Sequence, residues 1–175
     1  MRFIVLIAAF ALSTPASAEV VSASPTGFEV RETIPLVVPP EAAYEAFASI
    51  GEWWDPQHTY SGDSANLSLA LTPGGCFCER IPKTGGGIEH LRVAYIEPGK
   101  RIILTGALGP LLYEAVNGVM DVEVKTIAGG SQVTLDYKAS GFARGGADKL
   151  AAPVDEVLST QMKRLRTFAA ARPRT

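Results

Sequence analysis

Lys149-Leu150-Ala151-Ala152-Pro153-Val154-Asp155-Glu156-Val157-Leu158-Ser159-Thr160-Gln161-Met162-Lys163-Arg164-Leu165-Arg166-Thr167-Phe168-Ala169-Ala170 decides the fold. Leu150, Val154, Val157, Leu158, Met162, Leu165, Phe168 and Ala169 recur at spacings of three and four, so the segment predicts a long amphipathic helix with one apolar stripe to bury. In the segment just before it, Val133, Leu135 and Tyr137 share one strand face, and Gln132, Thr134, Asp136 and Lys138 share the other.

Working back from that pair, further strands are predicted over residues 66–71, 75–81, 88–96, 101–105 and 119–126, with 132–139 the last. Their separators, Thr72-Pro73-Gly74, Pro82 to Gly87, Glu97-Pro98-Gly99-Lys100 and Ala128-Gly129-Gly130, are short and made of turn-forming residues. Strands so linked form an antiparallel meander. The solution that buries both the inner strand faces and the helix stripe is an α+β domain, a curved antiparallel sheet wrapped around the long C-terminal helix. One connection differs: Gly106-Ala107-Leu108-Gly109-Pro110-Leu111-Leu112-Tyr113 is apolar and glycine-rich, which predicts a lid or a rim. Upstream, Phe28 to Ile34 alternates as a strand. Pro40, Ala43, Phe47 and Ile50 mark a helix closed by Gly51, and residues 52–63 form an aromatic-rich turn.

The first residues carry one early charge, Arg2, then a short apolar run, a break at Ser13-Thr14-Pro15, and the small-x-small pattern Ala16-Ser17-Ala18. This is the pattern of a cleavable secretory signal cut after Ala18, placing the product in the periplasm or outside the cell. The run is too short to span a bilayer, and later apolar runs are interrupted, so no stable membrane insertion is expected. The expected organisation is a signal peptide over 1–18, a flexible lead-in over 19–27, a single domain over 28–171 and a tail over 172–175. Removing the signal leaves 15 basic and 18 acidic residues, without the basic footprint of a nucleic-acid binder. Lys163, Arg164 and Arg166 suit the C-terminal end of a helix dipole.

Several motifs carry candidate chemistry. Trp53 and Trp54 either seal the core or line a cavity mouth, core sealing being the plainer reading. His58 and Tyr60 stand in the loop beyond, as entrance groups or as ordinary loop residues. Cys76 and Cys78 straddle Phe77, and three readings compete for them: a disulfide that needs a backbone kink, a metal site for which further ligands at recognisable spacing are missing, and two small strand residues without chemistry. The last is favoured, and no metal or cofactor is expected. A hairpin turn at Lys83 to Gly85 would set Phe77 opposite Leu91 and Glu79 opposite Glu89, facing the final helix. A one-residue slip would set Glu79 opposite His90 on the outer face.

The element order, with Trp53-Trp54, His58, Tyr60-Ser61-Gly62 and Gly74-Gly75-Cys76-Phe77-Cys78-Glu79, resembles the START-like or SRPBCC superfamily, and within it the polyketide cyclase/dehydrase and lipid-transport type and the domains related to heat-shock-ATPase activators. The resemblance covers nearly the whole mature chain. It implies a helix-grip fold with an apolar cavity between sheet and final helix, and roles ranging from lipid binding to aromatic cyclisation and protein partnering. The leading expectation is a periplasmic protein that binds a hydrophobic or amphipathic small molecule or lipid. Its rivals are a cyclase, dehydrase or hydrolase using His58, Glu79 or His90, and a protein-interaction module. The ligand-binding set is Trp53, Trp54, His58, Tyr60, Glu79, Tyr113, Tyr137 and Met162, with Met162 the helix position where packing yields to a ligand.

Overall fold

A computed structural model describes residues 17–172. The signal reading over 1–18 lies outside the described residues except for Ser17 and Ala18, and of the tail only Arg172 is described. The chain runs β1 (Ser17–Ser24), β2 (Gly27–Leu36), α1 (Pro40–Ala48), α2 (Ile50–Trp53), β3 (Leu67–Leu69), β4 (Cys76–Ile81), β5 (Gly86–Glu97), β6 (Arg101–Gly106), β7 (Ala115–Ile127), β8 (Gly130–Phe142) and α3 (Asp148–Ala171). Short 3-10 turns lie at Pro56–His58, Ser64–Asn66 and Gly109–Tyr113. No helix among the described residues is long and apolar enough to cross a membrane.

The eight strands form one curved, unclosed antiparallel sheet in the order β1-β2-β8-β7-β6-β5-β4-β3. From β3 to β8 it is a meander; β2 then pairs with the last strand, Ile34 opposite Val133 and Val30 opposite Tyr137. Alternation puts Val30 and Ile34 of β2, Met120 and Val122 of β7, and Val133, Leu135 and Tyr137 of β8 on the inner face, all buried. Across that face lies α3, burying Leu158, Met162, Leu165 and Ala169 in the same apolar cluster. Each of the three large side chains contributes roughly 1.5–3 kcal/mol by leaving water. This is the helix-grip arrangement.

The stretch expected as a flexible lead-in is instead mostly strand. β1 pairs antiparallel with β2, Glu19 opposite Arg31 and Ser24 opposite Gly27, with a bulge between Val20 and Ser22. Its side chains from Glu19 onward are exposed, so backbone bonding to the open edge of β2 holds it, not a buried face. α1 ends at Ala48, before the expected stop, and Gly51 lies within α2.

One inward position breaks the apolar pattern. Glu32 of β2 is buried under α3, near Asp155, and Glu32 Oε1 and Asp155 Oδ1 have no hydrogen-bond partner among the described residues. Burial, then the Asp155 carboxylate, pushes Glu32 up to about 7, against a smaller pull from Lys163. Between the ordinary carboxylate value and pH 7 the folded chain therefore holds a proton that the unfolded chain has released. Stability from this group is full at low pH and falls as pH rises through that window. Urea melts of wild type and Glu32→Gln should therefore diverge with pH, the variant being roughly 1–3 kcal/mol more stable at pH 8 and nearly equal at pH 4.5. A pH-independent difference would assign the effect to packing.

Candidate functional site

The site begins with one extra residue in β5. Phe77 pairs with Leu91 and Cys78 with Glu89, leaving His90 as a bulge with no opposite number. The bulge lets both His90 and Leu91 turn inward, while Glu79, opposite Ile88, also faces inward. Of the two expected registers, the Phe77–Leu91 pairing is present but Glu79 does not face Glu89, which turns outward and pairs with Arg92. Nor does His90 lie on the outer face. The bulge brings it to Glu79, Nε2 to Oε2 at 3.1 Å, with Glu79 1% and His90 4% exposed.

Glu79 Oε1 also accepts the Ser61 N–H at 2.5 Å. Burial alone would raise the Glu79 pKa, but bonds from Ser61, the Tyr60 backbone and His90 outweigh it and hold the carboxyl below its ordinary value. For His90 burial is the largest influence and pushes its pKa down, and the pull of Glu79 only partly restores it. The imidazole is thus neutral at pH 7, and the carboxylate fixes its proton on Nε2. Nδ1 is left as a bare acceptor, buried and without a partner among the described residues.

On the other side of β4, Cys76 and Cys78 are joined in a disulfide, which overturns the favoured reading of two unlinked residues. Their Cα atoms are 5.3 Å apart, closer than the roughly 6.6–7 Å of an extended span of two residues. The kink required of the disulfide reading is present, and it lies opposite the β5 bulge.

Beneath the first half of α3 is a cavity of about 350 Å³. Leu150, Pro153, Val154, Val157 and Leu158 form its helical wall, and Phe77, His90 and Tyr137 its sheet wall. The apolar connection expected as a rim supplies a third wall, Leu108 to Leu111. Gly106 allows this connection to turn away from β6: its φ is +145°, and a Cβ there would sit 2.9 Å from the His90 carbonyl. Gly118 of β7 makes room for the Tyr137 ring, whose hydroxyl would lie 2.6 Å from any added Cβ. That hydroxyl accepts the Leu108 N–H at 3.4 Å, tying the rim to the sheet.

The aromatic turn closes the fourth side. Trp54, His58 and Tyr60 line the cavity. Trp54 donates its indole N–H to the His58 carbonyl at 3.1 Å. Gln161 of α3, buried, accepts the Asp55 N–H at 2.8 Å through its carbonyl oxygen, so its amide nitrogen donates to His58 Nδ1, also at 2.8 Å. Gln161 was not anticipated, although a buried amide within an apolar helix stripe is a signal that a specific partner exists.

Of the other expected ligand contacts, Trp53 is buried on the far side of the turn and donates to the Phe47 carbonyl, outside the cavity wall. Tyr113 is 74% exposed at the rim, its ring 6.2 Å from that of Tyr60. Glu79 reaches the cavity only through His90. Met162 requires correction: it is fully buried in the core cluster one turn past the cavity and is not among the residues that line it.

No known protein family profile matches the chain, and no curated protein does. Among solved structures, an uncharacterised protein from Rhizobium leguminosarum is similar at 17% identity and a TM-score of 0.57, over 91% of this chain and all of that one. A protein of unknown function from Staphylococcus aureus is similar at 13% identity and 0.59, over 82% and 93%. CalU16 from Micromonospora echinospora is similar at 10% and 0.57, over 90% and 85%. At these identities the likeness establishes the shared fold.

The neutral state of His90 is directly measurable. Imidazole ¹⁵N chemical shifts should show Nε2 protonated and Nδ1 bare at pH 7, with His90 becoming charged only at a lower pH than an ordinary histidine. A midpoint at or above the ordinary histidine value would contradict the geometry. Glu79→Leu strands the Ser61 N–H and the His90 Nε2–H in the interior and should cost about 3 kcal/mol in a denaturant melt.

Proposed function

We propose that this protein binds an apolar small molecule in the cavity between its sheet and α3. The observation that carries the reading is the cavity itself, a concave space of ligand size with an apolar helix wall, an apolar rim and a few polar groups gathered on one side. Resemblance to START-like, SRPBCC proteins supports the same assignment, including the lipid-transport type as a source of candidate ligands. A second reading, an acid/base enzyme of the cyclase, dehydrase or hydrolase kind, is favoured by the neutral His90 in the cavity wall with its carboxylate behind it.

We further propose that the protein acts in the periplasm or outside the cell after removal of residues 1–18. The three-part pattern of the first residues supports this, and a disulfide persists in such an oxidising compartment. Cleavage after Ala18 leaves Glu19 at the start of the strand, opposite Arg31. N-terminal sequencing of the protein recovered from the periplasmic fraction should begin at Glu19; an intact Met1 on cytoplasmic protein would sink the proposal.

Binding is tested with N-phenyl-1-naphthylamine, a neutral probe that fluoresces in apolar surroundings. Wild type should enhance its emission saturably. Val154→Trp, in the cavity wall, should abolish that enhancement at little cost in melting temperature. Met162→Trp, in close-packed core, should instead destabilise by roughly 1–3 kcal/mol. Unchanged probe binding in folded Val154→Trp would place the ligand elsewhere.

A further inference from the structure

Cys76 and Cys78 alternate with Phe77 along β4, so their disulfide lies on the outer face of the sheet while Phe77 is buried on the inner one. That face is open to solvent: the cross-strand neighbours Ser68, Glu89 and Arg92 are exposed, and both cysteines are half-buried. The bridge closes a loop with one residue between its ends, so it gains little from restricting the unfolded chain. An accessible disulfide with so small a loop is of the reducible kind. Arg80 and Arg92 flank the pair on this face against one carboxylate, Glu89, a balance that favours an approaching thiolate.

The same bond shapes the cavity from behind. It holds the Cα atoms of Cys76 and Cys78 5.3 Å apart, about 1 Å or more short of an extended span. Opposite these three residues β5 supplies four, Glu89 to Arg92, and the surplus one is His90. A shortened β4 facing a β5 with one residue too many maintains the bulge, and the bulge keeps His90 inward. Phe77, between the two cysteines, has its ring 5.0 Å from that of His90 and 5.6 Å from that of Trp54, and all three line the cavity. Once the sulfurs part, β4 is free to extend, and the ladder opposite must flatten or change register.

We propose that the Cys76–Cys78 disulfide is a thiol–disulfide exchange site, and that its opening by a dithiol displaces Phe77 and His90 from their places in the cavity wall. A thiolate of the dithiol attacks one Sγ, the Sγ–Sγ bond breaks, and the other cysteine leaves as a thiolate that takes up a proton. The second thiol then attacks the mixed disulfide and releases the first cysteine. The dithiol ends as its own disulfide, its two electrons now in the cysteine pair. The oxidised chain is the ligand-competent form. This last consequence rests on the binding function proposed above, whereas the exchange and the displacement of His90 do not.

The test titrates the mature protein with dithiothreitol at pH 8 without denaturant, then alkylates it with iodoacetamide and weighs it. Imidazole ¹⁵N signals of His90 and N-phenyl-1-naphthylamine emission are followed in parallel. Both cysteines should become alkylated in a chain whose far-ultraviolet circular dichroism is unchanged, the His90 signals should move, and probe affinity should fall about fivefold or more. The double variant Cys76→Ser with Cys78→Ser should resemble the reduced wild type in both readouts and ignore dithiothreitol.

A disulfide that stays closed until the chain unfolds overturns the exchange site, as does global unfolding on reduction. Opening that leaves the His90 signals in place overturns the coupling to the cavity, and so does a folded serine variant with wild-type His90 signals. His90 signals that move while probe affinity holds overturn the restriction of binding to the oxidised chain. If the oxidised wild type never binds the probe, the binding function falls separately, and alkylation with the His90 signals still decides the exchange. Should the serine variant not fold, the reduced wild type decides alone.

Discussion

The apolar stripe of α3 can leave water only against the concave face of the sheet, and the concave face can leave water only beneath α3. Leu158, Met162 and Leu165 from the helix and Val30, Ile34, Val133, Leu135 and Tyr137 from β2 and β8 are buried together, so neither element is stable in this form alone. Pairing β2 with β8 joins an early strand to the last one under the helix. Everything else in the domain is arranged around a contact that must be closed at one end and is not filled at the other.

The division falls along α3. Its second half carries Met162, Leu165 and Ala169 into continuous core, whereas its first half meets the cavity through Leu150, Pro153, Val154 and Val157. Pro153 lacks the N–H that would bond the Lys149 carbonyl, so the first turns are held less firmly by the helix itself. There the sheet is met by the rim at Leu108 to Leu111 and by the aromatic turn, two irregular segments that cannot pack as closely as a strand face. The space remaining between α3, the sheet, the rim and the turn is the cavity.

Periodicity made the helix, the meander and most inward residues legible in the sequence, because one face of each element is apolar. β1 was not legible for the same reason: its side chains from Glu19 onward have no buried face, and its pairing rests on backbone groups that sequence patterning does not report. The β5 bulge was hidden as well. Alternation assigns Phe77 and Leu91 to the interior correctly, but a single inserted residue reassigns His90 and Glu89 and cannot be located by counting along the strand. Trp54, His58, Tyr60 and Tyr137, which residue type and placement in the turn and strand single out, line the cavity. Met162 was misplaced because a stripe gives the face of a helix that is buried, not which part of that face meets protein. Glu32 and Gln161 are polar residues at inward positions, which an apolar stripe does not report.

The bulge that hid the site also explains its chemistry. In a regular ladder His90 would point outward while Leu91 pointed in, and Glu79 would be an unpaired carboxylate in an apolar wall, a state strongly disfavoured unless protonated. One extra residue brings the imidazole to that carboxylate, and the Ser61 N–H completes the set, so the charge is retained at pH 7 with its bonds satisfied. The disulfide spans the contracted stretch of β4 directly opposite, tying the strand on its outer face where the bulge disturbs the ladder. A carboxylate held this way does not line the cavity; its effect passes through the imidazole, whose proton it fixes and whose other nitrogen it leaves bare. The polarity of the cavity wall at that point is therefore set by a charge one residue behind it.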